Sequence, residues 1–341
     1  MAGTYLGLPF DEELFFNEWQ TAPNPRKDAI LHSGAVAEDG DIASKTAGGS
    51  NIYTVPFYNI LPTTAPVNYD GQTDITTEET SGDDLTGVVY GRAKGWTSRD
   101  FIKDFHRTDP MANIISQVAK YWDYQDVKML TGIIEALFGC TPTDTDIATA
   151  WALHKTDIST TSTVADANKL GVAAMGDAAV KACGDNAPGL FSLAFMHSTV
   201  ANNLAKLDLL EYRKYTDPMG IERQLPIADM NGYTVITDDS LIDTTGTNAK
   251  YTTYLLGNGV VRHANAPVDK PVEADRDAAK NGGMDILYTR KRQTYHVNGF
   301  SFLKPSGMAA SPADDVLQAS ANWDLKFDPK TIAMARVISN G

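Results

Sequence analysis

The segment from Asn113 to Phe138 constrains the fold of this 341-residue chain more than any other, because its composition is helical throughout. It contains no proline, Gly132 is its only helix breaker, and Gly139 follows its end. Asp109 before Pro110 is typical of a helix N-terminus. Apolar residues recur at steps of three, four or seven, which is the spacing of one helix face. They are Ile115, Val118, Trp122, Met129, Ile133 and Leu137, widened by Ile114, Leu130 and Ile134. The sequence therefore predicts a central helix roughly 40 Å long.

Two strand-like segments flank a long polar stretch upstream of this helix. Ile52–Leu61 and Gly87–Trp96 are both rich in β-branched and aromatic residues. The stretch between them, Thr63–Thr86, is rich in threonine and carries six carboxylates. Loops of this length are uncommon in compact domains and are usually functional or disordered. The pattern predicts a long hairpin that protrudes from the body of the protein.

The rest of the chain divides into an arm and a mixed region. Residues 1–54 combine aromatic islands with a polar stretch, Glu38–Asn51, which predicts an extended arm that folds poorly alone. From about Val164 to Leu287, helical and strand patterns alternate, which favours a mixed α/β domain. The basic run Arg290–Arg292 stands between two strand-like segments, and we interpret it as a turn.

Charge and cysteine content exclude several protein classes. The formal net charge of −14 opposes tight binding of nucleic acid, since that affinity comes largely from neutralising phosphates. Cys140 and Cys183 are too few for a disulfide framework, so we expect two free thiols. The acidic N-terminus does not fit a signal peptide, and no apolar run approaches the ~20 residues that cross a bilayer. We expect a soluble protein, made inside the cell, with no membrane partner.

Candidate catalytic groups do not form a convincing constellation. Asp238 and Asp239 are adjacent after a strand, so their side chains point to opposite faces, and a strand-end turn is favoured. His197 and Ser198 lack the strained Gly-x-Ser-x-Gly turn of a nucleophile, which favours Ser198 as a helix cap.

Metal and nucleotide sites are disfavoured in the same way. The six histidines are scattered, and the acidic turns at 38–41 and 70–74 lack the spacing of a calcium loop. Gly257-Asn258-Gly259 lacks the third glycine of a nucleotide cradle and is typical of a turn. The sequence predicts no catalytic residue, no cofactor and no metal.

Several segments together resemble the major capsid proteins of tailed bacteriophages, which have the Hong-Kong-ninety-seven-like fold. Their order and spacing over residues 52–340 carry the resemblance. The segments are Leu85–Trp96 before Asp100-Phe101, Val118–Asp126, Phe195–Ser198, Leu225–Ile227, Asn231–Asp239, Ala321–Asp324, Asp328–Lys330 and Ile332.

This resemblance implies an α+β fold with five parts and a structural role. The parts are an N-terminal arm (1–54), an extended hairpin loop (55–96), a peripheral domain (97–160) with a spine helix (113–138), an axial α/β domain (161–290) and a return to the peripheral domain (291–341). Such subunits form hexamers and pentamers of an icosahedral head around double-stranded DNA. Implied partners are a scaffolding protein, a portal and a decoration protein, with assembly in the bacterial cytoplasm, location in the virion, and only weak, non-specific contact with packaged DNA.

Two features of the sequence bear on the scaffold and on cross-linking of the expected shell. The arm is too short for a fused scaffolding domain, so we expect a separate scaffold and an uncleaved chain. Some relatives join subunits through a lysine on the hairpin, but residues 55–93 contain no lysine and Lys94 is at the hairpin base. We therefore expect a shell without covalent cross-links.

Assembly contacts are expected at the hairpin and at the basic run. Trp96 and Phe101, with Tyr121 and Trp122, are expected to anchor the hairpin and the core, and Trp122 is equally well explained as core. Charged residues are expected to pair between subunits: Glu78, Glu79, Asp83, Asp84, Arg92 and Lys94. Arg290, Lys291 and Arg292 fit either an interface or an exposed turn. The alternatives for function are a nanocompartment shell of the same fold and, distantly, an α/β enzyme.

Overall fold

A computed structural model describes residues 4–5, 8–9, 30, 33–59, 61, 64–72, 74–75, 77–100, 110–187, 189–216, 222–230 and 232–341. Helices and sheets are mixed along the chain, which confirms the predicted α+β class. None of the helices in these ranges is long and apolar enough to cross a lipid bilayer.

Six α-helices and nineteen strands lie in the described ranges. The helices are α1 (Gly40–Ala47), α2 (Pro110–Gly139), α3 (Thr145–Ala152), α4 (Val172–Cys183), α5 (Ser198–Lys206) and α6 (Asp314–Leu317). The strands are β1 (Thr4–Tyr5), β2 (Leu8–Pro9), β3 (Val36–Glu38), β4 (Ile52–Tyr58), β5 (Gly82–Val88), β6 (Tyr90–Arg99), β7 (Lys155–Asp157), β8 (Phe191–Met196), β9 (Glu211–Thr216), β10 (Glu222–Met230), β11 (Tyr233–Thr237), β12 (Ile242–Asp243), β13 (Lys250–Gly257), β14 (Val261–Ala266), β15 (Val272–Asp277), β16 (Met284–Val297), β17 (Phe300–Phe302), β18 (Trp323–Leu325) and β19 (Met334–Ser339).

Helix α2 is the long helix predicted from the sequence. It has 30 residues, begins at Pro110 and ends at Gly139, while the predicted cap Asp109 lies outside the described residues. The predicted apolar stripe is its buried face, with Val118, Trp122, Met129, Ile133 and Leu137 all buried. Its length of about 45 Å lets one helix contact both large sheets.

Gly132 in the middle of α2 has a packing role. A Cβ atom at this position would lie 2.6 Å from the side-chain nitrogen of Gln318, which follows α6. The C-terminal segment can therefore approach the helix closely only where the side chain is missing.

A five-stranded sheet packs against the first half of α2. Its order is β15-β16-β14-β3, and β6 pairs with the other edge of the 14-residue strand β16. Val118 and Trp122 of the helix bury against Val272 and Leu287 of the sheet.

Strand β16 corrects the prediction of a turn at Arg290–Arg292. The strand runs unbroken from Met284 to Val297, and the basic run pairs with Gly91, Arg92 and Ala93 of β6. The ladder satisfies the backbone groups of these residues, so a charged run can occupy the middle of a strand where its side chains find partners.

An eight-stranded sheet forms the second body, in the order β7-β19-β13-β8-β11-β10-β9 with β12 on β13. Strand β8 lies inside it, parallel to β11 and antiparallel to β13, and Leu193 to Met196 are fully buried. The end of α2 joins this core, since the ring of Phe138 stacks on Trp151 at 5.3 Å and on Tyr254 at 5.5 Å.

The strands of the two large sheets do not follow the predicted domain boundaries. Strands β14, β15 and the first half of β16 were expected in the axial domain, but they share the five-stranded sheet with β6. The last strand, β19, lies in the eight-stranded sheet between β7 and β13. Part of the predicted arm is folded as well, because β3 pairs in parallel with β14 and α1 packs against it.

Candidate assembly surface

A hairpin is present in the predicted region, but the prediction of its second strand, Gly87–Trp96, is wrong. The second strand is β5, which lies mostly in the stretch predicted as loop, whereas β6 pairs with β16. Strand β4 pairs antiparallel with β5, from Ile52 opposite Val88 to Tyr58 opposite Gly82. On β4, Tyr53 is buried and Val55 and Phe57 are half-buried, whereas Thr54, Pro56 and Tyr58 are exposed. One face therefore packs on the body and the other faces outward. The predicted second strand is split at Val89 into β5 and β6.

Tyr53 holds the base of the hairpin to the five-stranded sheet. Its hydroxyl lies 3.1 Å from Oγ1 of Thr294 on β16. Burial raises the pKa of Tyr53 to about 12, so the phenol is neutral at physiological pH. Further along β4, the rings of Phe57 and Phe327 meet edge to face at 4.7 Å.

Gly87 makes room for the Tyr53 ring. A Cβ atom on Gly87 would lie 2.2 Å from the ring carbon that bears the hydroxyl. We expect Gly87→Ala to force the ring from its place and to destabilise the protein by about 1–3 kcal/mol. Thermal unfolding measures this, with Gly71→Ala as the control, because Gly71 lies in the exposed loop with open space around it. The Gly71 change meets a positive φ, so its cost is a modest backbone strain without a clash. Equal melting temperatures for Gly87→Ala and the unmodified protein would contradict this account.

Every described residue between the two hairpin strands is exposed. Large apolar side chains are among them: Tyr69 is 93% exposed, Ile75 74% and Leu61 62%. Exposed apolar groups gathered on one loop mark an interaction surface more often than scattered ones do. Sequence reasoning emphasised the acids of this loop and missed these residues, although apolar side chains inside a polar stretch were a visible signal.

The predicted acidic residues lie along the hairpin as expected, but two of them have partners within the chain. Glu78 accepts a hydrogen bond from Thr64 Oγ1 across the loop at 2.5 Å. Asp83 lies 3.5 Å from Lys326 Nζ, and its pKa is lowered, first by the hydrogen bond from the Asp84 backbone. Glu79 and Asp84 are exposed.

The predicted residues at the hairpin base divide between surface and core. Arg92 donates two hydrogen bonds to Oδ1 of Asp314, at 2.5 and 2.8 Å, while the side chain of Lys94 is exposed. Trp96 is half-buried and meets the ring of Tyr121 edge to face at 5.5 Å. Phe101 lies outside the described residues.

Trp122 is a core residue, which is the simpler of its two interpretations. It is 4% exposed, and its indole nitrogen donates to Thr289 Oγ1 at 3.0 Å. The helix and the sheet are therefore joined at this point by a buried hydrogen bond as well as by apolar contact.

All three residues of the basic run are paired within the chain. Arg290 contacts Glu273 at 2.9 Å, and Arg292 donates to Asn51 Oδ1 at 2.7 Å. Lys291 forms an ion pair with Asp126 of α2, with 20% and 14% of the two side chains exposed. A role of these residues in contacts between copies stays a prediction.

Asp126 was missed by sequence reasoning, although the sequence contains the signal. The apolar stripe of α2 skips from Trp122 to Met129, and Asp126 occupies the vacant position on the same face. Its other oxygen accepts from Gln293 Nε2 at 2.8 Å. These groups border a cavity of 160 Å³ between α2 and the sheet. Because Lys291 and Gln293 already pair with the Asp126 carboxylate, these contacts are suited to joining α2 to β16.

The remaining chemical candidates are structural in the described parts of the chain. Asp238 ends a strand and accepts hydrogen bonds from Ser240, as predicted for a turn. The prediction that Ser198 caps a helix is wrong. His197 is the cap, with extended backbone and with Nδ1 accepting from the Thr199 amide at 3.0 Å.

Neither thiols nor metal ligands form a reactive centre in the described ranges. Cys140 and Cys183 are free and buried, as expected, and burial raises the pKa of each thiol to about 11. No group of three His, Cys, Asp or Glu side chains there is placed to hold a metal ion.

One relative in sequence is a phage capsid protein. The major capsid protein of Bacillus phage SPP1 is 28% identical over 339 residues, covering 98% of each chain. Over its full length the chain is therefore similar to a phage major capsid protein. No family model matches the sequence. The match runs from end to end, so it includes the exposed hairpin and both large sheets.

Solved structures from phages are also similar to the chain. A Mycobacterium phage Bobi chain has a TM-score of 0.49 at 14% identity, with 92% of this chain and 90% of that chain covered. The Cyanophage Pam1 capsid asymmetric unit has a TM-score of 0.45 at 13% identity, with 86% of each chain covered. The capsid of Helicobacter pylori bacteriophage KHP30 has a TM-score of 0.46 at 12% identity, with 90% and 86% covered.

The mixture of helices and sheets agrees with the α+β class that the sequence resemblance implied. The full-length similarity to a phage major capsid protein supports the expected structural role in a virion capsid.

Proposed function

We propose that the protein forms hexamers and pentamers that tile an icosahedral head around double-stranded DNA. The observation that carries this proposal is the hairpin, which extends exposed apolar side chains from a well-packed body. A second copy of the chain is the simplest occupant of such a surface, because the similarity to a phage major capsid protein implies a shell built from copies of one chain.

The acidic charge of the chain supports enclosure of DNA without tight binding. With a formal net charge of −14, contacts with the packaged phosphates are weak and non-specific. DNA can then pack against the wall and leave it again.

The test of shell formation is electron microscopy of the expressed protein after size-exclusion chromatography, alone and together with its scaffold. Capsomers, tubes or closed shells are expected. Uniform monomers under every condition would overturn the proposal.

The shell is held together by non-covalent contacts in this proposal. Residues 55–93 carry no lysine, and the Lys94 side chain is on strand β6 beside Thr289 and not on the loop. A lysine–asparagine bond needs its nucleophile at the contact first.

We expect one subunit band when assembled heads are boiled in detergent and separated on a denaturing gel. Whole-protein mass spectrometry of the same heads is the matching measurement, with the mass of a single uncleaved chain as the expected result. A ladder of dimers and higher multiples would show that the shell is cross-linked.

Assembly also requires a separate scaffolding protein and a portal in this proposal, and a decoration protein can bind the finished surface. Support for a separate scaffold comes from the region before the hairpin, because β3 and α1 are folded onto the five-stranded sheet and belong to the body of the subunit.

A further inference from the structure

His296 is buried at the place where the hairpin meets the five-stranded sheet. It lies on β16, is 2% exposed, and its ring is 6.1 Å from the ring of Tyr53 on β4. Within the described structure, neither of its ring nitrogens has a hydrogen-bond partner. An imidazole without a partner in the interior is costly, and a protonated one is far more so.

The charged groups around His296 come from β14 and α1. Arg262 is its cross-strand partner on β14 and pairs with Asp39, the N-cap of α1, at 2.5 Å. Lys45 of α1 donates to the Thr54 carbonyl of β4 at 2.6 Å. Next to the Arg262–His296 pair in the ladder are His263 and Tyr295. Their side chains lie on the opposite face of the sheet, with the rings 4.9 Å apart.

Burial, and next the positive charge of Arg262, lower the pKa of His296 to about 4, against the opposing effect of Asp39. The ring is therefore neutral in the folded protein at physiological pH.

The residues around His296 also hold the base of the hairpin on the five-stranded sheet. One buried cluster joins these elements. It contains Ile42 of α1, Tyr53 of β4, Ala264 of β14, and Val89 between β5 and β6. Protonation of His296 would place a charge beside this cluster and next to Arg262. Water can reach that charge only if the cluster opens, and opening releases the hairpin base.

We propose that His296 is an acid-sensitive switch that loosens the base of the hairpin. Its consequence for the head rests on the proposed function, since a hairpin freed at its base no longer holds its place on a neighbouring copy. The sign follows from linkage. The histidine binds a proton more readily when the cluster is open. The protection of the hairpin base against opening is therefore complete above about 6.5, the pKa of an unfolded histidine. It is lost as the pH falls toward about 4, the pKa of His296 in the folded protein.

Hydrogen exchange of the full-length, unassembled chain tests this switch. Peptides covering 52–58 and 82–88 are followed at about pH 7.5 and about pH 5, with rates corrected for intrinsic exchange. We expect the opening equilibrium at these peptides to rise roughly 30-fold at the lower pH. In His296→Leu the rise should fall below about 3-fold. His296→Gln is the second variant, with the same expectation, in case Leu disturbs folding.

Two further variants separate the switch from general acid damage. His154 is also buried, but it bonds to the Met334 carbonyl of β19, so His154→Gln should keep the full acid response at the hairpin. Tyr53→Phe removes the bond to Thr294 and should lower protection by a similar factor at both pH values. Unchanged protection at low pH, or a full acid response in both His296 variants, would overturn the switch. Because the measurement needs no shell, a chain that shows the response but never assembles would overturn the proposed function alone.

Discussion

Replacing Leu61, Tyr69 and Ile75 together by serine is expected to abolish shell assembly and to leave the folded subunit intact. The three side chains are between 62% and 93% exposed, so the isolated subunit gains little from them. Exposed substitutions of this kind usually change stability by no more than about 0.5 kcal/mol each. Between copies, the same groups would be removed from water, and apolar anchors of that kind carry a large share of association energy.

Size-exclusion chromatography measures whether shells assemble, and circular dichroism measures whether the subunit stays folded. The matched control is Leu61→Met with Tyr69→Phe and Ile75→Val, which keeps the surface apolar and should keep assembly. Normal shells from the serine variant would show that the hairpin side chains do not hold the copies together. Loss of assembly in the control as well would show that shape alone, and not apolar contact, is responsible.

Lys291→Met is expected to destabilise the subunit strongly, by about 3–5 kcal/mol, because it leaves the Asp126 carboxylate largely buried without its cation. Arg290→Gln on the same strand is the matched control. Its partner Glu273 and its own side chain are each more than a third exposed, so the expected loss is about 0–1 kcal/mol.

Thermal and urea unfolding of both variants give the comparison. The double variant Asp126→Leu with Lys291→Met should recover much of the lost stability, since removing both partners leaves no unpaired charge. Similar losses in Lys291→Met and Arg290→Gln would contradict a special role for the pair between α2 and β16. Such a result would return the basic run to the surface role that its sequence first indicated.

Periodicity explains which elements could be predicted from sequence. Helix α2 and strands β8, β11 and β13 contain long regular apolar patterns, and their type and approximate bounds were predicted from those patterns. The first hairpin strand, β4, was predicted for the same reason, whereas β5 was missed because most of it lies in the polar stretch.

The missed elements depend on partners far away in the chain. Glu38–Asn51 has no apolar pattern of its own, yet α1 forms because Asp39 caps it and β14 receives its buried face. Arg290–Arg292 looked like a turn because three cations are rare inside a strand. The strand is stable there because Asp126, Glu273 and Asn51 come from three other segments.

That the hairpin is an assembly surface stays a prediction, but the structure changes which of its side chains are candidates for contacts. Charged residues drew attention to the hairpin, whereas the structure shows that Arg92 and Asp83 are paired within the chain and that large apolar side chains are also exposed on the loop. Exposure depends on how the whole chain packs, so no local pattern reveals it.

The most direct test is a cryo-electron microscopy reconstruction of the assembled head. The account predicts that Tyr69 and Ile75 of each hairpin are buried against the body of an adjacent copy, with no covalent bond between the chains. Hairpins that stay surrounded by solvent, or that contact only their own subunit, would contradict it.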